Sequence, residues 1–202
     1  MDVVDLKPDQ IPLAGELLAR AFSDDGLAVH MYPDEAERRA RIPWHFSAMV
    51  RYGVLFGRVL TTPGDPLGVA VWLAPGETAM TDDRIMAAGM DASAHVLGEE
   101  AFGRFMAAMQ HIEGSYEQDV PSERWHLALI GVHPDHAGRG VGSTLIRSVL
   151  RAADRQRLPC YLETANARNV PFYEGHGFAT IRNGTVPDTA VDYWVMRRHP
   201  VM

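Results

Sequence analysis

The stretch HPDHAGRGVGSTLI, residues 133–146, sets Gly138, Gly140 and Gly142 at alternate positions, with Arg139 among them. An apolar run precedes it and a helical pattern follows. A strand that turns through glycine into a helix is a ready anion site. The first amides of the helix lack intrahelical partners, and the dipole adds partial positive charge. Glycine lets an anion approach the main chain and tolerates positive φ. Arg139 could add a charge-assisted contact. The plain alternative is tight strand–helix packing with no ligand. Two familiar phosphate loops fail here. A P-loop needs Lys and then Ser or Thr after its last glycine, whereas Ser143 follows Gly142 directly. A dinucleotide fingerprint needs G-x-G-x-x-G near the start of a parallel βαβ unit, whereas this spacing is G-x-G-x-G, late in the chain.

Other reactive side chains carry less. His126, His133 and His136 fall on a strand end and a turn with no cysteine near, so no metal site is expected. Cys160 opens an apolar run and reads as packing rather than as a nucleophile. It is the sole cysteine, so no disulfide can form within the chain, and a reduced, cytoplasmic setting is the expectation. Methionines at 80, 86, 90, 106 and 109 either fill a core or line an adaptable apolar pocket.

The elements that must position these residues follow from periodicity. Residues 2–6 read as a strand. A helix opens at Pro8 and Asp9 and runs to Phe22, with Ile11, Leu13, Leu17 and Leu18 on its inner face. "SDDG" closes it. A second helix spans 34–51 on the stripe Ile42, Phe46, Met49 and Val50, with a break or kink expected at Pro43. Runs 53–62 and 67–75 read as an antiparallel hairpin. Residues 81–118 read as helix in two pieces, broken near "VLGEE". Then come a strand at 124–132 and a helix carrying Leu145, Ile146, Val149, Leu150 and Ala153 on one side. A strand at 159–164, a short helix ending in glycine and two final strands complete the chain. This order predicts an α/β (α+β) fold with a mixed, mostly antiparallel sheet of about seven strands flanked by helices.

The chain has 202 residues, 47% hydrophobic and 22% charged, which suits one domain over 1–202. A net charge of -7 argues against nucleic acid as a partner and mildly favours cationic or amine ligands. The acidic, polar start is no signal peptide, and no apolar run nears the ~20 residues that span a bilayer, so no membrane partner is expected.

The glycine stretch resembles motif A of the GNAT acetyltransferase superfamily, [Q/R]-x-x-G-x-[G/A] after a strand ending in V-x-P. Val132, His133 and Pro134 supply V-x-P, and Gly140 and Gly142 fill the small positions. Ala137 stands where Gln or Arg is usual. Residues 162–178, LETANARNVPFYEGHGF, resemble motif B, with Asn169, Tyr173, Gly177 and Phe178 at its marked places. The resemblance is strong over 121–199 and collinear before that. Around "VAVWLAP" and "YWVMRR" the wording is most similar to puromycin acetyltransferase-like members.

The resemblance implies a single GNAT-type domain with a helical insertion at about 79–118 and a cofactor-binding half at about 121–199. It implies acetyl-CoA as co-substrate and no metal. The pantetheine arm would pair with the main chain of Ile130 and Val132. The pyrophosphate would sit on the turn, Ala137, Gly138, Arg139, Gly140, Val141, Gly142 and Ser143. Asn169 and Tyr173 would reach the CoA arm. Tyr173 takes the family's general-acid position. A phenol of reference pKa ~10 is suited to protonate a thiolate whose conjugate acid lies near ~8.5. Glu163 is the first candidate for the base, and His126 the second. The expected activity is direct N-acetyl transfer to a primary amine of a small molecule, with an aminonucleoside or other antibiotic, and hence drug resistance, as the family suggests. A homodimer is a further family expectation. The alternatives are a catalytically silent acyl-CoA-binding domain and a protein acetyltransferase.

Overall fold

A computed structural model describes residues 1–115 and 120–201. Seven strands form one sheet: β1 (Val4–Asp5), β2 (Arg58–Thr61), β3 (Gly68–Leu73), β4 (Trp125–Val132), β5 (Cys160–Thr164), β6 (Ala179–Thr185) and β7 (Asp192–Arg198). Their order is β1-β2-β3-β4-β5-β7-β6. Only β4 and β5 run parallel; every other neighbouring pair is antiparallel. The mixed, mostly antiparallel α/β sheet expected from the sequence is present.

Helices cover both faces. On one lies α7 (Val141–Gln156), whose Leu145, Ile146, Val149, Leu150 and Ala153 are all buried against Trp72, Leu127 and Leu162. On the other lie α1 (Ile11–Ala21) and α3 (Glu35–Phe56), burying Leu17, Leu18, Ile42 and Phe46 on Val69 and Val71. Leu13, expected on the inner face of α1, is 55% exposed. Pro43 does not break α3, which runs on to Phe56 and takes in Gly53–Phe56, read from the sequence as strand. Close packing on α1 holds the helix there: a Cβ on Gly15 would lie 2.0 Å from Ser47 Oγ and 3.0 Å from the Pro43 carbonyl oxygen.

A short helix, α2 (Gly26–Met31), follows the "SDDG" turn, with Asp25 as its cap. The stretch expected as an insertion holds α4 (Asp82–Ala87), α5 (Ser93–Leu97) and α6 (Glu99–Gly114), three pieces rather than two. The break at Gly98, in positive φ, is the expected one, and a second lies at Gly89. Residues 116–118 of that expectation lie outside the described residues. The last helix, α8 (Val170–Glu174), follows β5. Among the described residues no helix is long and apolar enough to cross a membrane.

Two irregularities shape the centre of the sheet. All five residues of β5 pair with β7, but only Cys160 and Tyr161 pair with β4, opposite Trp125 and His126. Beyond His126 the parallel strands part. On its other edge β4 stays paired with β3, with a bulge at Ala128: Leu129 faces Val71 and Leu127 faces Trp72. The extra residue shifts the side-chain alternation by one. Leu127 before it, and Ile130 and Val132 after it, pack toward α7, while Ala128 and Leu129 pack toward α1 and α3.

Candidate active site

The parting of β4 and β5 leaves the main chain of β4 without a strand partner on that edge, and a cleft of about 470 Å³ opens there. One wall is Ile130, Gly131 and Val132. The floor is the turn from His136 to Ser143, and the far wall is Asn169, Phe172 and Tyr173. Gly138 (φ +73°) and Gly140 (φ +81°) adopt the left-handed region, and a Cβ on either would meet nothing within 4 Å. Their backbone therefore faces open space at the start of α7. Gly142 has another reason to be glycine: a Cβ there would lie 3.3 Å from Phe172 Cζ and 3.5 Å from Val132 Cγ2. The glycine trio thus combines two conformational positions with one of close packing. Ser143 Oγ is 3.0 Å from His176 Nε2. Burial, and then the charges of Arg147 and Arg198, hold His176 below the ordinary imidazole range.

A second pocket, of about 150 Å³, lies on the α1–α3 side of the parting strands. Its walls are mainly apolar, with Met31, Phe46, Phe105, Met109, Ile112 and Leu129 among them. Phe22, Asp25, Ile130, Asn169 and Tyr173 line both spaces, so the two meet there. Tyr173 is buried and its hydroxyl makes no hydrogen bond among the described residues. Burial, with the nearby charge of Asp25, keeps the phenol well above its usual pKa. Asp25 accepts a hydrogen bond from the Leu27 amide at 3.0 Å. Its burial raises the carboxyl despite the opposing Leu27 and Ala28 amides.

Glu163 lines the second pocket, and its Oε2 lies 2.7 Å from His126 Nε2. The sheet brings these two together. His126 is the register partner of Tyr161, and Glu163 is two residues further along the same face of β5. Burial disfavours the imidazolium, but the charge of Glu163 and the hydrogen bond to it prevail, so His126 lies above its ordinary value. His45, buried on α3 against the edges of Phe46 and Phe105, is pushed down to about 4 by burial.

The model for the acetyltransferase (GNAT) family matches residues 43–178, two thirds of the sequence. The chain belongs to the GNAT acetyltransferase family. An uncharacterized N-acetyltransferase of Schizosaccharomyces pombe is 29% identical over 171 residues, 82% of this chain and 69% of the relative. Among solved structures, the histone acetyltransferase HPA2 and related acetyltransferase from Corynebacterium glutamicum superposes with a TM-score of 0.69 at 19% identity, over 99% of this chain and 96% of that one. Arylalkylamine N-acetyltransferase 2 from Aedes aegypti gives 0.59 at 14% identity, covering 98% of each chain.

As a GNAT acetyltransferase the protein is an N-acetyltransferase with acetyl-CoA as co-substrate. The cleft suits that molecule. It offers unpaired β4 main chain, open glycine backbone and the free amides of a helix start, the donor set that an extended arm and a diphosphate require. Of the residues named from the sequence, Ile130, Val132, Ala137, Gly138, Gly140, Val141, Gly142, Ser143, Asn169 and Tyr173 all line the cleft. Arg139 does not; it is exposed on the turn. Glu163 lies in the second pocket, in contact with His126. Cys160 is fully buried, and burial pushes its thiol up to about 12. Among the described residues no group of three or more His, Cys, Asp or Glu is placed to hold a metal ion.

Sequence reasoning missed Asp25, His45, Phe172 and His176. Asp25 had a signal, since Asp-Gly before the apolar Leu27-Ala28-Val29 is a helix-cap pattern. The others had none, because their proximity to the site comes only from how the elements pack.

Proposed function

We propose that the protein transfers the acetyl group of acetyl-CoA to the primary amine of a small molecule. The observation that carries this reading is the meeting of a glycine-floored cleft and an apolar pocket at one buried phenol, Tyr173, with Glu163, hydrogen-bonded to His126, in the lining of that pocket. Bound acetyl-CoA would supply a thioester-activated acyl group. The amides of Gly138–Ser143 would hold its diphosphate, and the β4 main chain at Ile130 and Val132 its arm. Asn169 lines both spaces and is placed to orient the arm.

The acceptor enters as an ammonium and must lose two protons. Glu163 takes the first and passes it across the 2.7 Å hydrogen bond to His126, from which it reaches solvent. The C–N bond then forms as the C–S bond breaks. Tyr173 gives its hydroxyl proton to the leaving sulfur and regains one from the nitrogen. A main-chain amide of β4 is available for the carbonyl oxygen as charge builds on it.

Thiol release from acetyl-CoA against a panel of primary amines, puromycin included, and a Lys-bearing peptide tests the reading. Release with small amines is expected. Release with the peptide alone would make the protein a protein acetyltransferase. Tight CoA binding with no release would make it a silent binding domain. The reading extends to a single domain acting in the cytoplasm, consistent with one buried cysteine.

A further inference from the structure

Ser143 stands in the first turn of α7 and lines the cleft beside Gly140 and Gly142. A serine hydroxyl has one proton and so donates one hydrogen bond. Its Oγ lies 3.0 Å from Nε2 of His176, and that contact can run in either direction. If Nε2 is bare, the hydroxyl donates to the ring. Only lone pairs are then left toward the cleft, and they repel an anion. If Nε2 carries a proton, the ring donates to Oγ, and the hydroxyl proton is free to turn into the cleft. The direction of one hydrogen bond decides whether Ser143 attracts or repels a diphosphate.

His176 does not itself line the cleft, yet the fold holds its ring in place. Its amide donates to the Tyr173 carbonyl at 2.9 Å, and its carbonyl accepts from Arg198 Nε at 3.2 Å. Phe172 packs against the ring with centroids 4.9 Å apart and planes at 69°. The same Phe172 is the wall that would meet a Cβ on Gly142. Burial, Arg147 and Arg198 hold the imidazole below its ordinary range, so near pH 7 the ring is neutral and carries one N–H. What matters is which nitrogen bears it. With no anion at the helix start, either arrangement satisfies the Ser143–His176 pair. An anion there favours the arrangement that turns a donor toward it. Resting on the placement of the acetyl-CoA diphosphate on this turn, we propose that His176 is a positioning residue for the cofactor: with its proton on Nε2 it donates to Ser143 and turns that hydroxyl onto the diphosphate.

The test reads CoA binding by calorimetry, so its outcome does not depend on whether any amine is acetylated. Ser143→Ala and His176→Phe should each weaken CoA about 10-fold, the scale of one lost hydrogen bond to a charged group. The double variant should bind no more weakly than either single one, because both remove the same contact. His176→Gln, whose side-chain amide nitrogen can stand where Nε2 stands, should keep the CoA affinity within about 3-fold of the parent. Ring-nitrogen NMR of isotope-labelled protein saturated with CoA should show the His176 proton on Nε2, the signal being assigned by its loss in His176→Gln. Losses that add in the double variant would reduce the pair to a structural tie and overturn the proposal. CoA affinity in His176→Phe equal to that of the parent, or a bare Nε2 in the complex, would overturn it too, and both would leave the cofactor placement standing. If His176→Phe does not fold, Ser143→Ala, His176→Gln and the ring signal still decide. No CoA binding by the parent would end both the proposal and the placement on which it rests.

Discussion

Tyr173 and the His126–Glu163 pair divide the proton traffic, and each role makes a distinct prediction. Burial and the charge of Asp25 keep the Tyr173 phenol protonated across the whole working pH range, the state an acid needs. Tyr173→Phe removes one hydroxyl and little volume from the meeting point of the two spaces. It should lower kcat on the order of 100-fold, the usual scale for losing a positioned acid, while KM for acetyl-CoA stays within about 3-fold. Turnover equal to the parent would remove Tyr173 from the chemistry. The base is read from the pH profile. Glu163 holds His126 above its ordinary value near ~6.5, so the imidazolium persists to higher pH and the proton-accepting form appears only above that raised value. The acid limb of kcat/KM should therefore lie above pH ~6.5 in the parent. In His126→Asn the carboxylate acts alone, and the limb should move down toward the carboxylate range, with a smaller maximal rate. A limb that stays put would assign the titration to another group.

Elements carry these residues, and the tie between α7 and β7 shows what holds them. Arg198, at the end of β7, donates to both Asp154 oxygens, at 2.7 and 2.9 Å, and its Nε donates to the His176 carbonyl at 3.2 Å. The Val201 amide adds a bond to Asp154 at 2.8 Å. The hydrogen bonds from Arg198 hold the Asp154 carboxyl below its ordinary value, with the Val201 amide adding to them. A depressed folded pKa gives stability that is complete above the unfolded value of ~3.9 and lost as pH falls through the folded one. Asp154→Ala should cost about 2–3 kcal/mol at pH 7 by denaturant unfolding, and the difference from the parent should shrink as the pH falls below 4. A difference unchanged at low pH would show that lost packing, not the ion pair, is responsible. At this scale the sequence was legible where one period decides. The α7 stripe from Leu145 to Ala153 is buried as read, and so is the run of β5. Six residues are too few for a period, which hid α2. Pro43 argued locally for a break, and packing against Gly15 overrode it. The bulge at Ala128 and the parting of β4 from β5 exist only as relations between strands far apart in the chain.

At the scale of the whole molecule, cleft and pocket are separate spaces that meet at Phe22, Asp25, Ile130, Asn169 and Tyr173, where β4 and β5 part. That layout has a kinetic consequence. Both substrates can be held at once, one in each space, and meet at Tyr173. An acyl-enzyme route would instead need a nucleophile at the junction. Cys160, the chain's one thiol, is fully buried among α7 and β7 side chains, and burial pushes it up to about 12, so it is neither reachable nor ionised. Ser143, at the helix start, is hydrogen-bonded to His176 on the turn side of the cleft, and it does not line the acceptor pocket. Initial-rate plots at varied acetyl-CoA and amine should therefore intersect, as a ternary complex requires, and Cys160→Ala should keep kcat within about 2-fold. The same variant should lose about 1 kcal/mol of stability, since it deletes a buried sulfur from a packed core. Parallel lines, with a labelled acetyl group retained on the protein after acetyl-CoA alone, would overturn direct transfer and with it the role given to the open gap between the two strands.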